Sequence, residues 1–325
     1  MQTYLDSLVT DGAAGVLLHY RSPEQTWIGS SGVAELGTDR PVDPDGWFRV
    51  GSITKTFTAV VVLQLVGEGK LRLDESVAKW VPGVPDTISL RQLLNHTSGL
   101  YNYTDDLPEP AAIVRNRFRH RDPQDALRTG LGKPRLFEPG SSWSYSNINY
   151  IALGLLIEAA TGSGYGDEVA SRILRPLGLQ RTVVPGDDLD LPDPHASAYL
   201  TVDGEPVDLA RINPSQAWAA GAIVSTAADL DRFYAAVLAG ELLAKAEQEA
   251  MLTVVPSGER YGYGLGIERH ELPDGQVVWG HTGGFFGYLT VSYHSADLSK
   301  QLTLSYTGTN ANPPETDQVL AGLLG

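Results

Sequence analysis

Phe48-Arg49-Val50-Gly51-Ser52-Ile53-Thr54-Lys55-Thr56-Phe57 joins a short extended piece, closed by a glycine, to the start of an apolar helix. Downstream, Phe57, Val60, Val61, Leu63 and Leu65 recur until Gly67-Glu68-Gly69 stops the run, which predicts a helix over Thr56 to Val66. Ser52-Ile53-Thr54-Lys55 matches S-x-x-K, the pattern in which a helix holds a nucleophilic serine one turn from a lysine. Positions three apart share a helix face, so the Lys55 amine can reach the Ser52 hydroxyl. The N–H groups of such a helix start also stabilise negative charge. Ser76-Val77-Ala78-Lys79 fits the same pattern without the preceding glycine or the apolar helix. The alternative for Ser52 is an ordinary N-capping serine.

Outward from this stretch, a short helix (Tyr4 to Val9) precedes two strands, Gly15 to Tyr20 and Thr26 to Gly29, around a Ser22-Pro23 turn. In the middle, helical spacing holds over Asn147 to Ala160, Gly166 to Leu174 and Ala227 to Ala239, separated by Pro/Gly/Asp-rich loops. Beyond about residue 260 the period switches to strands, over Tyr261 to Arg269, Gln276 to Trp279, Phe286 to Tyr293 and Gln301 to Tyr306, with Pro273-Asp274-Gly275 as a hairpin turn. Strands at both ends and helices between them predict an α+β fold, an antiparallel sheet flanked by helices with an all-helical subdomain inserted. The expected division assigns 1–60 and 255–325 to the sheet and 61–254 to the mainly helical part, with the active site at their junction.

Composition narrows the chemistry. The 325 residues carry 24 Lys and Arg against 39 Asp and Glu, a formal net charge of −15, and no cysteine. That charge repels a phosphate backbone and no basic cluster offsets it, so no nucleic-acid partner is expected. Zero Cys excludes a disulfide framework, a thiolate metal site and a cysteine nucleophile. His19, His96, His120, His195, His270, His281 and His294 show no H-E-x-x-H or other ligand spacing, so no metal is expected. Gly262-x-Gly264-x-Gly266 opens no helix and is no dinucleotide fingerprint. The expectation is cofactor-free catalysis. The longest apolar run, Ala59 to Leu65, is interrupted by Gln64 and falls far short of the roughly 18 residues of a membrane span. Met1 to Asp6 has no basic n-region, so no signal peptide is expected. Such a chain is cytoplasmic as it stands, or secreted if a leader has been removed.

Two further clusters join the serine and lysine. Tyr145-Ser146-Asn147, the only Y-x-N of the chain, precedes the Asn147 helix. A phenol becomes a usable base only beside a cation such as Lys55, and Asn147 offers a donor and an acceptor to a substrate amide. A buried loop tyrosine and a capping asparagine are the alternative. His281-Thr282-Gly283-Gly284 closes the strand from Gln276. It supplies a proton shuttle, a hydroxyl and glycines that let a substrate backbone approach.

In this order, S-x-x-K, Y-x-N and a basic residue before Thr-Gly, the chain resembles the class C β-lactamase and serine DD-peptidase family. Leu93-Leu94-Asn95-His96-Thr97-Ser98-Gly99-Leu100 and Gly262-Tyr263-Gly264-Leu265-Gly266 add to the likeness, which spans nearly the whole chain. It is most similar to the actinomycete D-alanyl-D-alanine carboxypeptidase branch, which also has His before Thr-Gly. The resemblance implies a β-lactamase/transpeptidase-like fold. It also implies a Ser52 nucleophile, proton exchange between Lys55 and Tyr145, and an oxyanion site between the N–H groups of Ser52 and Gly284. His281 would help to hold Tyr145 and the substrate, with Asn147, Thr282, Gly283 and Gly284 also contacting substrate.

Two positions depart from that branch, where an Arg precedes the third motif and a Thr follows Thr-Gly. Here they are Glu268 and Gly284. Counting around the hairpin sets Glu268 opposite Gly280, beside His281. Facing the cleft, it repels a substrate carboxylate and favours an amine or a neutral group. The other reading has it pointing to solvent. The expected activity is a serine acyl-enzyme hydrolase acting on a small peptide-like amide or ester, with β-lactams among the candidate ligands. An acyltransferase or peptide cyclase that passes the acyl group to an amine, and a stalled penicillin-binding sensor module, are the alternatives.

Overall fold

The computed structural model describes residues 1–258, 261–309 and 315–324. In chain order the strands are β1 (Ala13–Arg21), β2 (Thr26–Gly32), β3 (Phe48–Arg49), β4 (Tyr199–Val202), β5 (Glu205–Asp208), β6 (Val224–Ser225), β7 (Val255–Pro256), β8 (Tyr261–Tyr263), β9 (Glu268–Glu271), β10 (Val277–Phe285), β11 (Tyr288–Ser295) and β12 (Gln301–Gly308). Eight of them form one antiparallel sheet in the order β2-β1-β12-β11-β10-β9-β8-β7. The first strands therefore pair onto the last one, and both ends of the chain build the sheet. The small pair β3 and β6 holds the chain just ahead of Ser52. Among the described residues no helix is long and apolar enough to cross a membrane.

Alternation along the strands feeds two cores. Val16, Leu18 and Tyr20 of β1, with Leu302 and Leu304 of β12, pack against Leu5 and Leu8 of α1 (Gln2–Thr10) and Val319 and Leu320 of the last helix, Thr316–Leu323. Leu17, from the other set of β1, joins the larger core around α2 (Thr54–Gly67). Of the 14 residues of α2, 11 are buried, the signature of a helix enclosed on all sides. It begins at Thr54, two residues earlier than its apolar spacing predicts, and a 3₁₀ turn over Gly51–Ile53 leads into it. Ser52 sits in that turn. The buried Arg49 guanidinium fixes the approach by donating to the carbonyls of Leu189 and Ala210, at 2.9 Å each.

Two strand expectations need correction. Tyr261 to Arg269 is not one strand but two, β8 and β9, broken at Gly264–Ile267. Gly266 has φ +77° and lies so close to α2 that a Cβ would stand 2.4 Å from the Ala59 Cβ and 3.1 Å from the Lys55 carbonyl. The chain must dip towards the helix there, and only glycine fits. The strand from Gln276 does not end at Trp279 either. β10 runs through His281-Thr282-Gly283-Gly284 to Phe285, and the turn follows at Phe286 and Gly287, both with positive φ.

Candidate active site

The start of α2 sets Ser52 beside the Lys55 amine, with Nζ 2.9 Å from the Ser52 Oγ. Nζ also donates to Asn147 Oδ1 and to the Ala220 carbonyl, each at 2.7 Å. The Asn147 amide cannot turn its nitrogen to the lysine, because Nδ2 donates to Asn102 Oδ1 (3.2 Å) and Thr104 Oγ1 (3.0 Å). Lys55 thus faces two groups that only accept and one hydroxyl that can also donate. A neutral amine satisfies this set: two hydrogens go to the two acceptors and its lone pair is left for the serine proton. Lys55 is fully buried, and burial pulls its pKa well below the ordinary lysine value, against a smaller opposing pull from the Glu268 charge.

Tyr145 lies on the other side of the amine, with Nζ 4.9 Å from its ring centroid. Its buried hydroxyl makes no hydrogen bond among the described residues. Burial raises its pKa well above the ordinary value, with the neighbouring Ser52 hydroxyl opposing. The ring rests on His96, at 4.3 Å between centroids. His96 has φ +62°, a left-handed conformation costly for a residue with a Cβ. Its Nδ1 accepts from the Ser146 N–H at 3.2 Å, and burial pushes its pKa well down, so it is a neutral wall behind the tyrosine.

His281 is buried at the edge of the same cluster. Its Nδ1 lies 2.5 Å from the Thr282 carbonyl, which can only accept, so Nδ1 carries the hydrogen and Nε2 accepts from the Tyr263 hydroxyl at 2.9 Å. Burial lowers the imidazole pKa, partly offset by Glu268, whose Oε1 is 3.4 Å from Nδ1. Glu268 does pair opposite Gly280. Its side chain, however, faces neither solvent nor the cleft, which corrects both readings of it. It is 4% exposed, and its carboxylate accepts from the Thr282 N–H (3.1 Å), the Thr282 hydroxyl (3.2 Å) and the Tyr293 hydroxyl. The protein donors that fill those oxygens leave it behind the strand.

The serine turn and β10 touch backbone to backbone. A Cβ on Gly283 would stand 1.9 Å from the Val50 carbonyl oxygen, and one on Gly51 (φ +55°) would stand 2.5 Å from the Gly284 nitrogen. This brings Ser52 and Gly284 together in the lining of a cavity of about 530 Å³. Ser52, Asn147, Ala220 and Gly284 share its lining with Tyr103, Leu107, Phe286, Tyr288 and Leu289. Gly283→Ala is expected to prise the strand from the turn and lower kcat/KM by about two to three orders of magnitude, as losing an oxyanion donor does. Steady-state kinetics check it, with a thermal melt to separate misfolding from misplacement.

The structure brings together Ser52, Lys55, Tyr145, Asn147, His281 and Gly284, and places Thr282, Gly283 and Glu268 in the strands behind. Ser76 is elsewhere: its hydroxyl accepts from the Ala78 N–H, and Lys79 pairs with Glu75. The sequence reading had no place for the Ala220 carbonyl or for Tyr263. A backbone acceptor leaves no mark in a sequence, and the Gly262-Tyr263-Gly264 run gives no sign of the Tyr263 contact with His281. His96 carries no sequence signal for its place against Tyr145, which comes from the fold.

An α+β fold with a serine and a buried lysine at the start of its central helix is the architecture of an acyl-transferring serine hydrolase. The chain belongs to the beta-lactamase family, which matches residues 2–323. A D-stereospecific amidohydrolase from Streptomyces sp. superposes with a TM-score of 0.90 at 36% identity, over 98% of this chain and 96% of that one. D-amino acid amidase from Ochrobactrum anthropi SV3, complexed with L-phenylalanine amide, gives a TM-score of 0.84 at 28% identity, over 99% and 94%. Penicillin-binding protein 4* of Bacillus subtilis is 29% identical over 310 residues, covering 90% of this chain and 67% of that one.

Proposed function

We propose that this serine hydrolase cleaves amides and esters of small peptide-like acyl donors, with D-amino-acid amides as the favoured class, through an acyl-enzyme on Ser52. The observation that carries the reading is the Lys55 amine, desolvated and held between two acceptors and the Ser52 hydroxyl. Ser52 Oγ attacks the carbonyl carbon and its proton passes to Lys55 Nζ, while the N–H groups of Ser52 and Gly284 take the oxyanion. Collapse breaks the bond to the leaving group, which takes a proton from the Tyr145 hydroxyl. Lys55 then returns its proton to Tyr145. Water repeats the steps in reverse, giving up a proton to the same relay, adding to the ester carbonyl and releasing the acid with Ser52 reprotonated. His281 and Tyr263 act as positioning residues for this edge of the site.

Glu268 supports a neutral leaving group. It takes the Thr282 hydroxyl hydrogen for itself, so that hydroxyl is not free to donate to a carboxylate, and its own charge repels one. The names of the amidohydrolase and the amidase support the D-amide preference. β-Lactams fit the same nucleophile as acylating probes. The test is hydrolysis of D- and L-phenylalanine amide and their methyl esters, read as ammonia, methanol and acid release. Turnover with D over L is expected, and no turnover of any of the four overturns the reading.

Glu268→Gln tests the electrostatics. The Glu268 charge raises the Lys55 pKa, so its removal lowers that pKa further. The rising limb of kcat/KM against pH is then expected to move to lower pH. A limb that moves to higher pH contradicts the assignment of Lys55 as base.

A further inference from the structure

The cavity in front of Ser52 is lined by apolar, aromatic and neutral polar groups with one exception. Among the described lining residues only Arg121 is charged. Its guanidinium makes no ion pair and no hydrogen bond among the described residues, and it lies over the Tyr103 ring at 4.6 Å from the centroid. Of the acids close to Arg121 and Tyr103 in the chain, Asp122 accepts from the Gln124 N–H, Asp105 from the Asn102 amide, and Asp106 pairs with Tyr101 and Lys133.

The wall that presents this cation is built rigidly. The Arg121 N–H donates to Ser215 Oγ (2.9 Å), Gln216 Nε2 donates to the Arg119 carbonyl (3.0 Å), and the Asn213 N–H donates to the Arg117 carbonyl (2.7 Å). The Tyr103 hydroxyl donates to the Gln216 carbonyl at 3.0 Å, fixing the ring beneath the guanidinium to the same turn. An unpaired cation stacked on an aromatic face, in a chain with a net charge of −15, is set to receive a planar anion, which a guanidinium binds with two parallel hydrogen bonds. With Tyr145 as the proton donor to the leaving group, the leaving group departs towards Tyr145 and leaves the cavity, which Tyr145 does not line, to the acyl portion.

We infer that the acyl portion of the substrate carries a carboxylate, and that Arg121 reads it. The inference rests on the acyl-enzyme reading above and adds to it the charge of the acyl group. It divides the two ends of the substrate: an uncharged leaving group on the Tyr145 side and an acidic acyl group beside Arg121. Arg121 is a specificity determinant, and its contribution should fall mainly on KM.

The probes are mono-p-nitrophenyl glutarate and its isosteric neutral partner, p-nitrophenyl glutaramate. Wild type is expected to prefer the glutarate by about ten- to a hundredfold in kcat/KM, the worth of a charge-assisted contact. Arg121→Gln should collapse that ratio, and Arg121→Lys should keep part of it. Leu107→Glu, at a lining position 46% exposed, should also lower the ratio by setting a competing carboxylate on the same wall. A wild-type ratio near one overturns the proposal without recourse to any variant, as does a preference that survives Arg121→Gln. If neither ester is hydrolysed while D-phenylalanine methyl ester is, the proposal is overturned; if D-phenylalanine methyl ester is not hydrolysed either, the hydrolase reading itself fails. If both are hydrolysed equally, only the carboxylate is lost.

Discussion

Lys55→Ala is expected to slow acylation by about two to four orders of magnitude, the usual size of a general-base contribution. It should also remove the acid limb of the pH profile. The wild-type limb has a definite sign. Below the lysine pKa the ammonium has no lone pair for the serine proton, so kcat/KM rises with pH and levels off once the amine is neutral. Burial sets that midpoint well below the ordinary lysine value of 10.5. Tyr145→Phe should cost a similar amount, because its hydroxyl delivers the proton to the leaving group. The two losses should not add, since members of one relay fail together. A double variant as slow as the product of the single effects would assign them to separate steps. The measurement is the pH dependence of kcat/KM for D-phenylalanine amide, read as ammonia release, whose leaving amine needs the proton.

Ser52→Ala is expected to remove turnover altogether, by about a million-fold, the size found when the nucleophile of a serine protease is deleted. The fold should survive. Ser52 sits in a 3₁₀ turn whose neighbours Val50 and Ile53 are fully buried and whose upstream Arg49 holds two carbonyls, none of which depends on the hydroxyl. Far-UV circular dichroism and the melting temperature should therefore match wild type while ester and amide hydrolysis disappear. Ser76→Ala provides the contrast, and its activity should stay near wild type. A Ser52→Ala protein that still turns over D-phenylalanine amide would place the nucleophile elsewhere.

Much of this site could be read in the sequence because its parts are local. Ser52 and Lys55 are one helical turn apart, and Tyr145-Ser146-Asn147 sits at the start of a helix whose hydrophobic spacing is plain. The hairpin count placed Glu268 opposite Gly280, since a turn of known length fixes register. What the count could not give was the environment of that side chain. The register allows two settings, cleft and solvent, and the structure supplies a third, closed by Tyr293 and the Thr282 backbone. The break between β8 and β9 was hidden for a similar reason. Gly264 and Gly266 look like ordinary strand glycines until α2 is packed against them. The Ala220 carbonyl and the Arg121 wall depend on contacts between segments far apart in the chain, and no local pattern announces them.

The central claim is a covalent acyl group on Ser52. The most direct measurement is the intact mass of the protein, quenched with acid during turnover of a D-phenylalanine ester or after exposure to a β-lactam, followed by peptide mapping. The account predicts a mass increase equal to the acyl group, found on the peptide that contains Ser52 and absent from Ser52→Ala. An adduct on another residue, or an equal adduct on the Ser52→Ala protein, would contradict it.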